Sequence, residues 1–388
     1  ALARMPDSVL KSLADERRAT ALENLRYYGE FRRIARALSG QGITSIALKG
    51  LHLSELVYRD ISLRPMCDMD ILVRHRDLEC TVALLQDMGY GRGEDISGIA
   101  ATMIGTKCNV GLRHRSSGIW LEVHWDIAEA SKQYVPPVDD IWSSAVPARL
   151  GDADTLVMSP EFLLLHVCAH LALNHTFLFS LRGLCDIAEI VHAHPGLDWA
   201  LLVQHGRQHG WQRGVTLALR LAKDHLGARV PADALATLGG DELDTPLLAD
   251  AVAQMFEVSQ IPGELLTAPG LLAMGGSQGL TAKAAAVWKR VFVPPEELSI
   301  IYGIPARSGR LPFYYAVRVR DLARKYAASG WALNFSDARL QQTAARHARL
   351  ARWLAGSGKP HLGTEGDPTV AAGRVARRPE AAPRSCRK

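Results

Sequence analysis

The stretch that most constrains this chain is Arg64 to Val73, RPMCDMDILV. Asp68 and Asp70 lie two positions apart in an otherwise apolar run of Met66, Met69, Ile71, Leu72 and Val73. So apolar a run, with β-branched residues at its end, predicts a short buried strand. Residues i and i+2 of a strand face the same side, so the two carboxylates converge on one spot. Two like charges held that close on a half-buried surface repel unless a cation sits between them. Oxygen ligands of this kind suit magnesium, with manganese as the alternative.

A chain of 388 residues is long enough for two or three domains. Its formal net charge of +5 permits a polyanionic partner without requiring one. The six cysteines contain no CxxC pair, which argues against zinc and against a disulfide framework. The N-terminal region is charged, with Arg4, Asp7, Lys11, Asp15, Glu16, Arg17 and Arg18, and shows no apolar run like that of a signal peptide. The most apolar stretch, Phe162 to Phe179, carries three histidines and an asparagine, which reads as a buried helix and not a membrane span. These features predict a cytoplasmic, reduced protein with no membrane partner.

Apolar spacing predicts a helix, single or broken, over Ser8 to Leu38, capped by Asp7 or Ser8 and ended by Gly40 and Gly42. Ile43 to Leu48 reads as a strand, Lys49-Gly50 as a turn, and Leu51 to Tyr58 as a helix. Asp68 to Val73 is the second strand, and Arg76 to Met88 a helix stopped by Gly89. Lys107 to His114 and Ile119 to Trp125 read as a hairpin around Ser116-Ser117-Gly118. The texture changes near Pro147 to Ser159, and the chain beyond reads as almost wholly helical. Ser159-Pro160-Glu161 is a good helix start, with Ser159 at the cap. From Gly356 on, Gly, Pro, Ala and Arg dominate, which predicts a disordered basic tail. No internal repeat is visible. The domains expected are 1–150 for the α/β part, 151–355 for the helical part and 356–388 for the tail.

Glu122 sits between Leu121 and Val123 in the hairpin's second strand, which is unusual for an acid in a buried strand. The order strand, Gly turn, helix, Asp-x-Asp strand, then a later strand with one more acid resembles the nucleotidyltransferase fold of the DNA polymerase beta superfamily. ALKGLHLSELVYRDISLRPMCDMDILV, LEVHWDI and LLLHVCAHLALNHTFLFSLRGLCDIAEIV resemble more closely an uncharacterised bacterial nucleotidyltransferase family with LKG, RPM-x-D-x-D-x-LV and E-x-H-W. The resemblance runs from about Ile43 to Trp211, and more weakly to Tyr326. It implies an α/β (α+β) fold with a small mixed sheet followed by a mostly helical domain that closes the cleft and selects the acceptor. It also implies an enzyme that uses an NTP and magnesium. Asp68 and Asp70 would bind the metal and the phosphates. Glu122 would be the third metal ligand or would activate the acceptor hydroxyl. Gly50 would let the backbone approach the triphosphate, and Lys49 would neutralise phosphate charge. The chain departs from the superfamily in having Leu51 after Gly50, where a second glycine or a serine is usual.

Chemistry supports these roles independently. Nucleotidyl transfer is an in-line displacement at phosphorus, and metals stabilise its developing charge. A helix start after Gly50 offers N–H groups to an anion. Arg64 could grip a phosphate through its fork, or serve as a structural partner of the aspartates. His124 shares a strand face with Glu122 and could support the site or be a satisfied core histidine. His166, His170 and His175 invite a metal reading, but no glutamate completes an H-E-x-x-H pattern, and a packed helix lining the cleft is the better expectation. Arg182 and Asp186 are spaced as an intrahelical ion pair and are candidates for shaping the site. The Arg374 to Lys388 tail has no interleaved aromatics, so nucleic acid is not an expected partner. The expected partners are an NTP and a small-molecule, sugar or peptide acceptor in a biosynthetic pathway. Two other readings stay open. One is a glycosyltransferase whose Asp-x-Asp binds a metal and a nucleotide sugar. The other is a non-catalytic nucleotide-binding module.

Overall fold

The computed structural model describes residues 5–91, 108–128, 138–178, 181–256, 287–288, 291–302, 304–305, 307–331 and 338–356. The predicted tail lies outside these residues. The chain divides into two compact units. The first takes the described residues up to Leu163, and the second those from Leu164 onward.

The first unit opens with helix α1 (Asp7–Gly40), which buries Phe31, Ile34 and Leu38. It is one unbroken helix. Pro6 stands at its N-cap and no side chain caps it, so neither Asp7 nor Ser8 serves there; Asp7 instead places its charge in the first turn. Then follow β1 (Ser45–Ala47), α2 (Lys49–His52) and a π-helical turn, Leu53–Val57. Next come β2 (Met69–Val73), α3 (Leu78–Asp87) and β3 (Tyr90–Gly91). Gly89, at φ +95°, stops α3 as its sequence predicts. The hairpin is β4 (Asn109–His114) and β5 (Trp120–His124), with Gly118 at φ +73° in its turn. After α4 (Val138–Ser144) come β6 (Val146–Leu150) and β7 (Ala153–Val157).

The sheet is mixed and larger than expected. It has seven strands in the order β3-β4-β5-β2-β1-β7-β6. Besides the two-residue β3, the strands not expected are β6 and β7, which occupy the region where the sequence changes texture. They pair with each other antiparallel, and β7 joins β1 in parallel. Few of their residues are apolar on both sides, and β6 is mostly exposed at the sheet edge, so periodicity marked them poorly. A cut at residue 150 would divide this hairpin.

The middle strands are hydrophobic because both faces are covered. Every residue of β1 and β2 is buried. Helix α1 packs against β7 and α3. Asp70, 2% exposed, is a charged residue in the centre of that sheet, and burial of a charge demands partners.

Helix α5 (Pro160–Ala169) begins where Ser159 Oγ accepts from the Phe162 N–H, as the Ser-Pro-Glu start predicts. It passes into a second π-helical turn, His170–Asn174. The second unit then runs through α6 (Leu181–Ala193), α7 (Trp199–Gln208), α8 (Gln212–Leu226), α9 (Ala232–Thr237) and α10 (Thr245–Phe256). It continues with α11 (Pro295–Tyr302), α12 (Leu311–Trp331) and α13 (Ala338–Ala355). Helix α8 is the hub and packs against α6, α7, α9, α10 and α13. No helix among the described residues is long and apolar enough to cross a membrane.

Candidate active site

Strand pairing builds the site. β2 and β5 run parallel, and their register sets Asp70 opposite Glu122 and Leu72 opposite His124. Directly opposed residues share a sheet face, so both acids and the histidine project to one side. On the other flank, β1 runs antiparallel to β2, and the Leu48 N–H donates to the Asp70 carbonyl oxygen at 3.0 Å. That bond brings Lys49 beside Asp70. Lys49 then adopts φ +37°, a left-handed conformation that turns the chain out of the strand and into α2. A non-glycine residue held there is strained, and such strain concentrates at functional positions.

Lys49 Nζ donates to Asp70 Oδ1 at 2.9 Å, and His124 Nε2 approaches the same oxygen at 2.8 Å. His124 Nε2 also lies 3.3 Å from Glu122 Oε2, which accepts from Asn109 Nδ2 at 2.6 Å. Ligand atoms of Asp70, Glu122 and His124 all lie within 4.8 Å of one another. Asp68 stands just before β2, half-buried, and its charge acts on Lys49.

The electrostatics follow from these contacts. Burial pushes the Asp70 carboxyl up, but the Lys49 ammonium and the His124 ring together hold it well below the usual carboxylate range. Burial opposes charge on His124, yet Asp70, Cys108 and Glu122 push its pKa up to about 10. Burial also opposes charge on Lys49, and Asp70, Glu122 and Asp68 outweigh it and raise the pKa. The His124 ring holds Glu122 below its ordinary value against the effect of burial. The cluster is thus two cations laid against converging carboxylates.

Glycine at position 50 is also required by packing. A Cβ there would stand 2.9 Å from Arg64 Nη1 and 2.9 Å from Met66 Cγ. The residue is buried under these side chains, so its lack of a side chain serves packing in this structure. Arg64 is itself buried, 8% exposed, with its guanidinium against Gly50 and Nη1 donating to the Pro65 carbonyl at 3.4 Å.

Helix α1 holds the acid-bearing segment in place. Asn24 Nδ2 donates to the carbonyls of Ile61 (2.6 Å) and Arg64 (2.9 Å), and its Oδ1 accepts from the Met66 N–H at 3.2 Å. Tyr27 donates to the Cys67 carbonyl and Tyr28 to the Leu51 carbonyl, each at 2.8 Å. Sequence reading missed Asn24, because nothing local ties a helix residue to a loop some forty positions on. It also missed Asn109, for which a signal existed. Counting back from the Ser116-Ser117-Gly118 turn pairs Asn109 with His124, the observed register.

The tight trio therefore differs from the expected one, with His124 in the position foreseen for Asp68. His166, His170 and His175 belong to the second unit. His170 and His175 bring their Nε2 atoms within 3.0 Å, and Asn174 Nδ2 lies 3.1 Å from His170 Nδ1. Among the described residues they join no group of three close ligands. On α6, Arg182 is exposed and Asp186 buried.

No curated protein and no solved structure matches the chain significantly. A family model described as an uncharacterised nucleotidyltransferase matches residues 1–227, more than half of the chain. The acid-bearing sheet and its covering helix fall within that match, and the chain belongs to this family of uncharacterised nucleotidyltransferases.

Proposed function

We propose that the protein is a metal-dependent nucleotidyltransferase that moves a nucleoside monophosphate from an NTP to a hydroxyl-bearing acceptor and releases pyrophosphate. The carrying observation is the convergence of Asp70, Glu122 and His124 within 4.8 Å, beside Lys49 and two residues from Asp68. The donor set fits a divalent cation: the Asp70 and Glu122 carboxylates supply hard oxygens suited to magnesium or manganese. Asp68, Asp70 and Glu122 would hold the ion. Such an ion would supply positive charge against the phosphates of the NTP.

The chain's own groups have separate tasks. His124 donates to Asp70 and lies against Glu122, so it orients both carboxylates. Asn109 fixes the other side of Glu122. Lys49 supplies a positive charge at the mouth of the helix-opening turn, where it can move from Asp70 to a phosphate oxygen. Glu122, 26% exposed at its side chain, is the most accessible acid of the trio and can take the proton of the attacking hydroxyl. The acceptor classes that suit are a small molecule, a sugar or a peptide.

Incubation with each labelled NTP, magnesium and a metabolite or peptide extract, read by mass spectrometry, should give a product heavier by one nucleotide. Alanine at both Asp68 and Asp70 should abolish it. Full labelling by that variant would refute the proposal, and release of nucleoside diphosphate in place of pyrophosphate would point to glycosyl transfer.

One observation favours a second reading. Lys49 and His124 already balance the buried Asp70 charge, as in a non-catalytic module that has dispensed with a metal. Absence of any magnesium or manganese binding by calorimetry, with NTP binding retained, would select it.

A further inference from the structure

We infer that a cavity in the helical unit, formed around the end of α6 and the start of α7, binds a small aromatic anion. The cavity has a volume of about 540 Å³ and is lined by Val191, His192, His194, Pro195, Trp199 and Arg229. Sites for small ligands span roughly 300–1,000 Å³, so a ring with its substituents fits. The cavity shares no residue with the acid cluster.

Backbone bonds hold its walls. His192, in the last turn of α6, brings Nε2 to 3.4 Å from the Gly227 carbonyl oxygen and so ties that end to the end of α8. Gly227, at φ +68°, and Ala228 turn their N–H groups back onto the carbonyls of Lys223 and Ala222, each at 3.2 Å. Those carbonyls are thereby satisfied, which lessens the negative charge at this helix end. The Val230 N–H then donates to the Ala228 carbonyl at 2.8 Å, a three-residue turn with Arg229 at its apex. Ala228 and Val230 are buried and Arg229 is exposed, so the turn sends the guanidinium outward. Trp199 is set as firmly. It is the first residue of α7, where Asp198 caps the helix by accepting from the Leu201 N–H at 2.9 Å.

Two donors at this cavity are uncommitted. Among the described residues Arg229 makes no ion pair or hydrogen bond, and the indole N–H of the half-buried Trp199 donates to no group. The acids nearest to them in sequence are occupied, Asp198 by its cap and Asp224 by Arg220 at 2.6 Å. A guanidinium fork matches a carboxylate or a phosphate. An indole offers a face to a planar ring and its N–H to an acceptor. Val191 and Pro195 add apolar wall, and His192 and His194 add imidazole rings. An uncharged aromatic would leave the arginine unused, and a bare inorganic anion would leave the indole and the apolar wall unused. The ligand class that uses both is an aromatic ring carrying a carboxylate or a phosphate.

The test uses the full-length chain without NTP or metal. Binding of 4-hydroxybenzoate and of phenyl phosphate is followed by ligand-observed NMR, with phenol, acetate and inorganic phosphate as controls. At least one ring-bearing anion should bind with a Kd of about 1 mM or tighter, and each control about tenfold more weakly or worse. The ratio between the two anions decides between carboxylate and phosphate. Arg229→Gln should weaken binding about fivefold or more, and Trp199→Leu by a similar factor. The chain with alanine at Asp68 and Asp70 should bind as wild type, which separates this site from the transfer reading. Any of four results overturns the inference: neither anion binds at about 5 mM, phenol binds as tightly as the anions, Arg229→Gln binds as wild type, or the Asp68 and Asp70 variant loses binding. Arg229 is exposed, so its replacement leaves the packing intact, and circular dichroism checks this.

Discussion

Asp70 and Glu122 face each other across the parallel pair β2–β5, and the His124 Nε2 nitrogen touches both, at 2.8 and 3.3 Å. The two acids differ in setting. Asp70 is 2% exposed and pairs with both Lys49 and His124, whereas Glu122 keeps 26% of its side chain in solvent.

That difference separates two variants. Asp70→Asn removes the counter-ion of two largely buried cations and should cost about 3–5 kcal/mol of stability. Glu122→Gln should stay within about 1 kcal/mol of wild type, because Asn109 can still donate to the amide oxygen. Both should lower nucleotide transfer about a hundredfold or more. Urea midpoints and product mass spectrometry, measured together, check the split. A fully active Glu122→Gln enzyme would remove this residue from the chemistry.

Asn24 ties α1 to the segment that carries the acids through three hydrogen bonds. Asn24→Ala leaves the Arg64 carbonyl with one fewer donor and the Met66 N–H without its acceptor, both buried. The expected cost is about 2–4 kcal/mol in chemical denaturation. An unchanged denaturation midpoint would mean that the segment is held by Tyr27 and Ser54 instead.

Gly50→Ala tests the packing role of that glycine. A methyl group would press on Arg64 and Met66 at 2.9 Å. The strain should outweigh the helix preference of alanine and destabilise by about 1–3 kcal/mol. If the variant is as stable as wild type yet loses NTP binding, the glycine serves the ligand and not the packing.

His347 predicts a pH dependence for the helical unit. It is 2% exposed, its Nδ1 accepts from Gln254 Nε2 at 2.8 Å, and burial lowers its pKa to about 4. A folded-state value below the ordinary histidine value of about 6.5 means that the unfolded chain takes up the proton first. The stability this provides is complete above about pH 6.5 and is lost as pH falls toward 4. Over that window the loss should approach about 3 kcal/mol. Denaturation of wild type and His347→Leu at a series of pH values isolates the effect, since only the difference in slope belongs to this residue. Identical slopes would mean that His347 titrates normally.

Much of this was legible before any coordinates. β2, α3 with its Gly89 stop, the β4–β5 hairpin and the Ser159 start of α5 all rest on local pattern, and each is found where pattern puts it. The β6–β7 hairpin was not legible, because an exposed edge strand carries little apolar alternation. Asn24 was not legible either, since its partners are remote in sequence.

The sequence by itself determined which acids would share a sheet face. Asp70 and Glu122 stand out as acids in apolar strands, and they are the pair found opposed on one face; Asp68, expected beside them by alternation, stands just before β2. Only the tertiary structure decided which groups meet at bonding distance. The parallel register of β2 and β5 brought His124 into the trio, the Leu48–Asp70 backbone bond delivered Lys49, and the packing of Arg64 and Met66 explained Gly50. Register and close packing are set by contacts between segments far apart in the chain, and local periodicity carries no record of them.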